Sequence, residues 1–191
     1  MQLFGKKIFS RKRILYAIGV LLLAGIAVTF VAPAAKTVFQ VHIAKAERKL
    51  PIYCVDTPEP KVAISFDAAW GADDTDELLR ILEENGVKTT FFMCGYWVDD
   101  YPEEVKKIAE AGHDLGNHSA THPHMSQLSK EQIKKELLDT HKKVYDLTGY
   151  EMDLFRPPFG EYDNKVIETA RENNYHIIQW DVDSLETKIN P

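Results

Sequence analysis

Four side chains in this sequence have the types and spacing to carry hydrolytic chemistry together: Asp67, His118, His122 and Arg156. His118-Ser119-Ala120-Thr121-His122 sets two imidazoles four apart, a spacing that lets both face one ion from a helical turn. Asp67 ends an apolar run, where an unpaired carboxylate is costly, so something must stabilise its charge or its proton. It reads either as a cap for the next helix or as a general base, with Arg156 as the cation that holds it. In Arg156-Pro157-Pro158-Phe159-Gly160 two prolines restrain the backbone just behind the Arg and hold its stem where the preceding strand aims it. His113 falls inside a strand and reads as structural, and His124 reads as a solvated loop residue close to the pair.

Each of the four must be delivered by an element, and the pattern supplies one for each. Val62 to Phe66 reads as a buried strand leading into Asp67. Asp74 or Thr75 caps a helix whose Leu78, Leu79 and Leu82 repeat at helical spacing, with Gly86 where a left-handed terminal residue is wanted. Thr89 to Met93 is β-branched and aromatic, hence strand, and Pro102 to Ala111 is a helix opening on Pro and acidic residues. A short strand over His113 to Gly116 delivers His118. Ser129 and Gln132 form a capping box for a helix running to Gly149, and Met152 to Phe155 is the strand that feeds Arg156. Asp163 starts another helix, and Tyr175 to Trp180 is a fifth strand. Alternation of this kind implies parallel strands whose C-terminal ends share one rim, where α/β folds gather their sites. The open alternative is a doubly wound sheet.

The N-terminal end differs. Lys6, Lys7, Arg11, Lys12 and Arg13 precede an uncharged apolar stretch, 14–35, long enough to cross a bilayer. The expected organisation is therefore a basic cytoplasmic flank (1–13), a signal anchor or transmembrane helix (14–35), a linker (36–60) and an extracytoplasmic domain (61–191). The placement that follows is a single-pass protein of the cell membrane. Ala32-Pro33-Ala34-Ala35 keeps open the alternative of secretion after signal-peptide cleavage. Five of the 23 basic residues lie in the flank, leaving 18 against 29 acidic residues beyond it, a net charge of −11. That balance excludes nucleic acid as a partner, and the absence of a G-x-G-x-x-G loop leaves nucleotide binding without support. Cys54 and Cys94 make no C-x-x-C pattern; Cys94 reads as a packed thiol, and pairing of the two is left open.

Ser65-Phe66-Asp67, the His118 to His122 pair, Arg156 to Gly160 and Trp180-Asp181-Val182-Asp183-Ser184 occur in the order and approximate spacing of the NodB-homology polysaccharide deacetylases, carbohydrate esterase family 4. The chain resembles that family from Lys61 to Pro191, and its Asp67-Ala68-Ala69-Trp70-Gly71 loop is most similar to the PdaB-type, sporulation-associated branch. The resemblance implies an α/β fold, a distorted (β/α) barrel, here partial, carrying a divalent metal, usually zinc, and removing acetyl groups from N-acetylated sugars of a cell-wall glycan. Asp67 matches the base, His118 and His122 match metal ligands, and Arg156 matches the residue that orients the base. Trp70, Tyr162 and Asp183 are the candidate substrate contacts, the aromatic residues offering faces to a sugar ring; Trp180 reads as a further face or as core.

Three departures accompany the likeness. Ala68 stands where most members have the Asp that completes the metal triad, and Asp67, Asp73, Asp74 or waters are the substitutes at hand. Glu186 and Thr187 replace an Asp and a Trp of the fourth motif. The family's Leu-x-His segment, which supplies the acid for the leaving amine, has no counterpart before Pro191, so a truncated and impaired form is expected. Two functions follow: an N-deacetylase of peptidoglycan-like glycan, or a membrane-tethered glycan-binding protein without catalysis.

Overall fold

The computed structural model describes residues 47–184 together with Tyr16 and Leu21. The chain divides into two compact units, Met1–Glu47 and Arg48–Pro191. In the first, Tyr16 and Leu21 are helical and exposed. The membrane-spanning helix expected over 14–35 is corrected here. Among the described residues no helix is long and apolar enough to cross a membrane, and the rest of that stretch lies outside them. The membrane tether and the single-pass location that rested on this helix are withdrawn with it.

The second unit is built on five strands: β1 (Ser65–Ala68), β2 (Thr90–Met93), β3 (Asp114–Asn117), β4 (Leu154–Phe155) and β5 (His176–Ile177). They pair in chain order and every pair is parallel. A doubly wound sheet reverses strand order at a switch point, whereas this sheet runs 1-2-3-4-5 like a barrel wall. The doubly wound alternative is therefore excluded. Beyond β5, Ile52 bridges to Ile178, so residues that precede the domain in sequence extend the sheet at its far edge.

Helices α1 (Thr75–Glu84), α2 (Gly95–Asp100), α3 (Pro102–Glu110), α4 (Lys130–Thr148) and α5 (Asn164–Glu172) occupy the crossovers. Local chemistry accounts for their ends. Pro102 begins α3, where its missing N–H costs nothing. Ser129 and Gln132 make the reciprocal capping box of α4, which stops at Gly149 with φ 71°. Asp163 caps α5 by accepting from Val166 N–H. The core is a continuous cluster in which Phe155, Met93, Leu115, Ile133 and Leu137 are fully buried.

One local expectation changes, and one helix has no forewarning in the sequence. The first strand begins at Ser65 rather than Val62, because pairing with β2 starts at Ser65 opposite Thr90. β1 is the sheet's edge, so Val62 and Ile64 are exposed despite their apolar character. Helix α2 has no periodic apolar signal in its six residues, and its start is set instead by the loop it contacts, described below.

Candidate active site

Asp67 is the third residue of β1, not the residue past it, and its side chain is 36% exposed. Arg156 follows β4 directly and is buried. Its Nη1 donates to Asp67 Oδ1 at 2.7 Å and its Nη2 to Ser65 Oγ at 2.7 Å, so one guanidinium fork spans two residues of β1. The guanidinium stacks on the Phe92 ring at 4.0 Å and lies 5.5 Å from the Trp180 ring. Phe92 can reach that position because Gly116 on β3 has no side chain; a Cβ there would overlap the Phe92 ring. Nothing on the Asp67 Oδ2 side is held by Arg156, and that oxygen stands 3.8 Å from His118 Nε2.

The imidazoles sit on a loop. A helical turn, the geometry their spacing suggests, is ruled out by Ser119 and His122, which have φ of 69° and 55°. For residues other than Gly this region costs roughly 1–2 kcal/mol each, so the surroundings must impose it. Asn117 Oδ1 accepts Ser119 N–H at 2.9 Å, and Ser119 Oγ accepts His122 N–H at 3.0 Å. The rings meet edge to face with centroids 5.0 Å apart, and Phe159 closes on His122 at 4.5 Å.

His118 Nδ1 bonds the Arg156 carbonyl at 2.7 Å. A carbonyl can only accept, so the proton is on Nδ1 and the Nε2 lone pair faces the cleft. This is the outer bond that orients a metal-binding histidine. Burial lowers the pKa of His118, and lowers that of His122 likewise, which favours the neutral, ligating form of both. Arg156 thus serves both partners: its side chain fixes the carboxylate, and its carbonyl fixes the imidazole.

Cys94, His118 and His122 each offer a donor atom, all within 4.8 Å of one another. Donors around a tetrahedral zinc stand roughly 3.3 to 3.8 Å apart, so a small closure seats a divalent cation in this cluster. The two imidazoles are prepared for it. Cys94 is not prepared to the same degree, because burial pushes its thiol up to about 12 and its Sγ donates to the His118 carbonyl at 3.4 Å. Binding through Cys94 requires loss of that proton, which an ion can drive. Ala68 contributes no donor. The donor set therefore fits a divalent ion held by His118 and His122, with the Cys94 sulfur completing the cluster.

The other sequence-identified residues divide by environment. Trp70 is 73% exposed and its ring stands edge-on to His122 at 5.7 Å. The Tyr162 hydroxyl is engaged by Tyr53 at 2.8 Å and by Arg48 at 3.3 Å. Asp183 lies in the exposed segment after Trp180, and Glu186 and Thr187 lie outside the described residues. His113 is buried and accepts Thr89 N–H on Nδ1. His124 stacks on Phe159 at 4.5 Å and pairs with Glu161 at 2.8 Å. Cys54 and Cys94 are both free thiols, Cys54 exposed and Cys94 buried. As a possible ligand Cys94 escaped sequence reading because its position, the end of an apolar strand, is also that of an ordinary packed thiol. Ser65 escaped it because only the Arg fork identifies its role.

A carboxylate, two imidazoles and a guanidinium gathered at the C-terminal rim of a parallel, barrel-ordered sheet define an α/β barrel-type site with a cluster that fits a divalent cation. Residues 55–178 match the family described as polysaccharide deacetylase, and the chain belongs to that family. It is 34% identical over 128 residues to a peptidoglycan-N-acetylglucosamine deacetylase of Bacillus cereus, covering 67% of this chain and 46% of that one. With the peptidoglycan-N-acetylmuramic acid deacetylase PdaA of Bacillus subtilis it shares 32% over 139 residues, 72% of this chain and 53% of the relative. Among solved structures, a carbohydrate esterase family 4 pseudoenzyme of Bacillus anthracis superposes with a TM-score of 0.71 at 33% identity, over 74% of this chain and 50% of that one. The chain spans about half the length of the curated relatives it matches.

Proposed function

We propose that this chain carries the reaction rim of a polysaccharide N-deacetylase that hydrolyses the acetamido C–N bond of N-acetylated sugars in a peptidoglycan-like glycan. One observation carries the reading: Asp67 Oδ1 is held by Arg156 at 2.7 Å while its Oδ2 faces His118 Nε2 at 3.8 Å. A carboxylate held by one oxygen and open at the other is arranged as a base. Water attacks the acetyl carbon and Asp67 Oδ2 takes the water's proton; return of that proton to the sugar nitrogen as the C–N bond breaks releases acetic acid, which ionises to acetate, and the sugar amine, and leaves Asp67 ionised again. Arg156 fixes the direction of the carboxylate through its Nη1.

His118, His122 and the Cys94 sulfur would hold the divalent cation, for which we propose Zn2+. When bound, such an ion polarises the amide carbonyl and acidifies water. His118 keeps its Nδ1 proton on the Arg156 carbonyl, so its other nitrogen remains a donor atom at any pH that leaves the ring neutral. Trp70 is proposed as a face for the sugar ring, with Tyr162 and Asp183 as outer contacts. The Trp70-Gly71 loop supports affiliation with the PdaB-type, sporulation-associated branch.

A second reading, a glycan-binding member without turnover, is favoured by Ala68 and by likeness to the Bacillus anthracis pseudoenzyme. Acetate release from N-acetylated glycan by the Zn2+-supplemented chain separates the two. The enzyme reading expects release that disappears in Asp67→Asn. Glycan binding with no acetate from the wild-type chain would falsify it and leave the binding module.

A further inference from the structure

We infer that Glu136, on the face of α4 towards the site, is a positioning residue that clamps the loop between the two imidazoles. Three hydrogen bonds from that loop end on its carboxylate. Oε2 accepts the N–H groups of Ala120 at 2.9 Å and Thr121 at 2.8 Å, and Oε1 accepts the Thr121 hydroxyl at 3.0 Å. Each reaches across 15 or 16 residues of sequence. A carboxylate with only local duties on its helix has no need of such partners.

The loop is held from its opposite side as well. The carbonyls of His118, Ser119 and Ala120 accept from Cys94 Sγ at 3.4 Å, Gly95 N–H at 2.9 Å and Tyr96 N–H at 3.1 Å. These last two are first-turn N–H groups of α2, which have no partner within their own helix. Next to Glu136, the Leu137 carbonyl takes the Asn117 side-chain amide at 2.8 Å, and Asn117 in turn fixes Ser119. The carbonyl side of the loop is therefore satisfied by α2, and its N–H side by Glu136. Ala120 is buried, so removing the carboxylate takes away the partner of a buried backbone N–H. Ala120 and Thr121 lie between the two positive-φ residues, Ser119 and His122; with Glu136 removed, that middle of the loop is held from its carbonyl side alone and the imidazoles are free to separate.

The inference rests on the reading that His118 and His122 hold a divalent cation, and its test distinguishes the two. In Zn2+ titrations of the full chain against a competing chelator, Glu136→Ala should weaken affinity about 10- to 100-fold, the range seen when outer-shell partners are removed. Glu136→Gln keeps an oxygen for both N–H groups and an amide N–H for the Thr121 hydroxyl, so it should restore affinity close to wild type. A folded Glu136→Ala with wild-type affinity overturns the clamp, as does failure of Gln to rescue it. If Glu136→Ala does not fold, Thr121→Val at the exposed surface removes one bond and should cost about fivefold; unchanged affinity overturns the clamp. Should the wild-type chain bind Zn2+ no better than His118→Ala, the metal reading falls by itself. The clamp is then judged by nuclear Overhauser contacts between the two imidazoles, whose centroids are 5.0 Å apart. Their loss in Glu136→Ala supports it, and their persistence overturns it.

Discussion

The two sides of the cleft are held in opposite ways. Asp67 belongs to a strand, so the β1–β2 ladder fixes its backbone and one guanidinium finishes the job. His118 and His122 belong to a loop in which the ladder has ended, and side-chain hydrogen bonds with two unfavourable backbone conformations replace it. A ladder-held group tolerates changes nearby and is sensitive mainly to its own identity. A loop-held pair is sensitive to residues that never touch a substrate, because no repeating backbone pattern restores it.

The largest effect should come from the ladder-held side. Asp67→Asn preserves shape and hydrogen bonding to Arg156 while removing the basic oxygen, so acetate release should fall about 10²- to 10⁴-fold with little change in stability. Arg156→Lys sharpens the contrast. Lysine has one charged point where Arg156 reaches both Asp67 and Ser65, and it cannot stack flat on Phe92. Turnover should drop less than in Asp67→Asn, and the drop should appear in kcat, measurable by comparing kcat with KM for the two variants.

Next in size is a stability effect at the boundary between the two sides. Gly116→Ala places a methyl against the Phe92 ring, in a strand whose neighbours cannot move independently. Overpacking of this kind costs about 1–3 kcal/mol, readable as a lower midpoint in urea unfolding. Because Phe92 also supports the Arg156 guanidinium, turnover should fall as well. A variant with lower stability and unchanged turnover would show that the Phe92 platform is dispensable for the base.

Ladder-held features are also the ones legible in sequence. β-branched and aromatic runs located β2, periodic leucines located α1, and the Ser129–Gln132 box located the start of α4 to the residue. Asp67 and Arg156 could be paired beforehand because each lies within one residue of a strand end. The geometry of the His118 to His122 loop was not legible, since a spacing of four matches a helical turn and nothing local announces positive φ at Ser119 or His122. Glu136 was invisible for a related reason: on α4 it is one charged residue among many, and only the folded loop selects it. The edge position of β1 defeated the burial expected for Val62 and Ile64, because an apolar run does not say whether a neighbouring strand covers it.

Smaller effects should separate scaffold from site. Ser129→Ala removes the cap of α4 far from the reacting groups and should cost about 1 kcal/mol, seen as a small shift in unfolding midpoint. Since Glu136 lies two turns further along, metal affinity should be unchanged; a loss would mean that fraying of α4 reaches the loop.

His113 provides the least perturbing test, because it needs only a change of pH. It is buried beside β2, and its Nδ1 accepts Thr89 N–H, which only an imidazole unprotonated at that nitrogen can do. Burial lowers its pKa from the ordinary 6.5, and the nearby Lys88 charge acts the same way. The unfolded chain therefore takes up the proton first. By linkage, the stabilisation is fully present above about pH 6.5 and is lost as pH falls from there towards the lower folded value, below which no further loss comes from this group. Replacing His113 by Gln keeps an oxygen to accept Thr89 N–H and removes the titration. In urea unfolding between pH 5 and 7, the wild-type midpoint should fall more steeply than that of His113→Gln. Equal slopes would assign the pH dependence to the cleft imidazoles instead, whose pKa values burial also lowers, and would place the weaker point of the fold on the loop-held side.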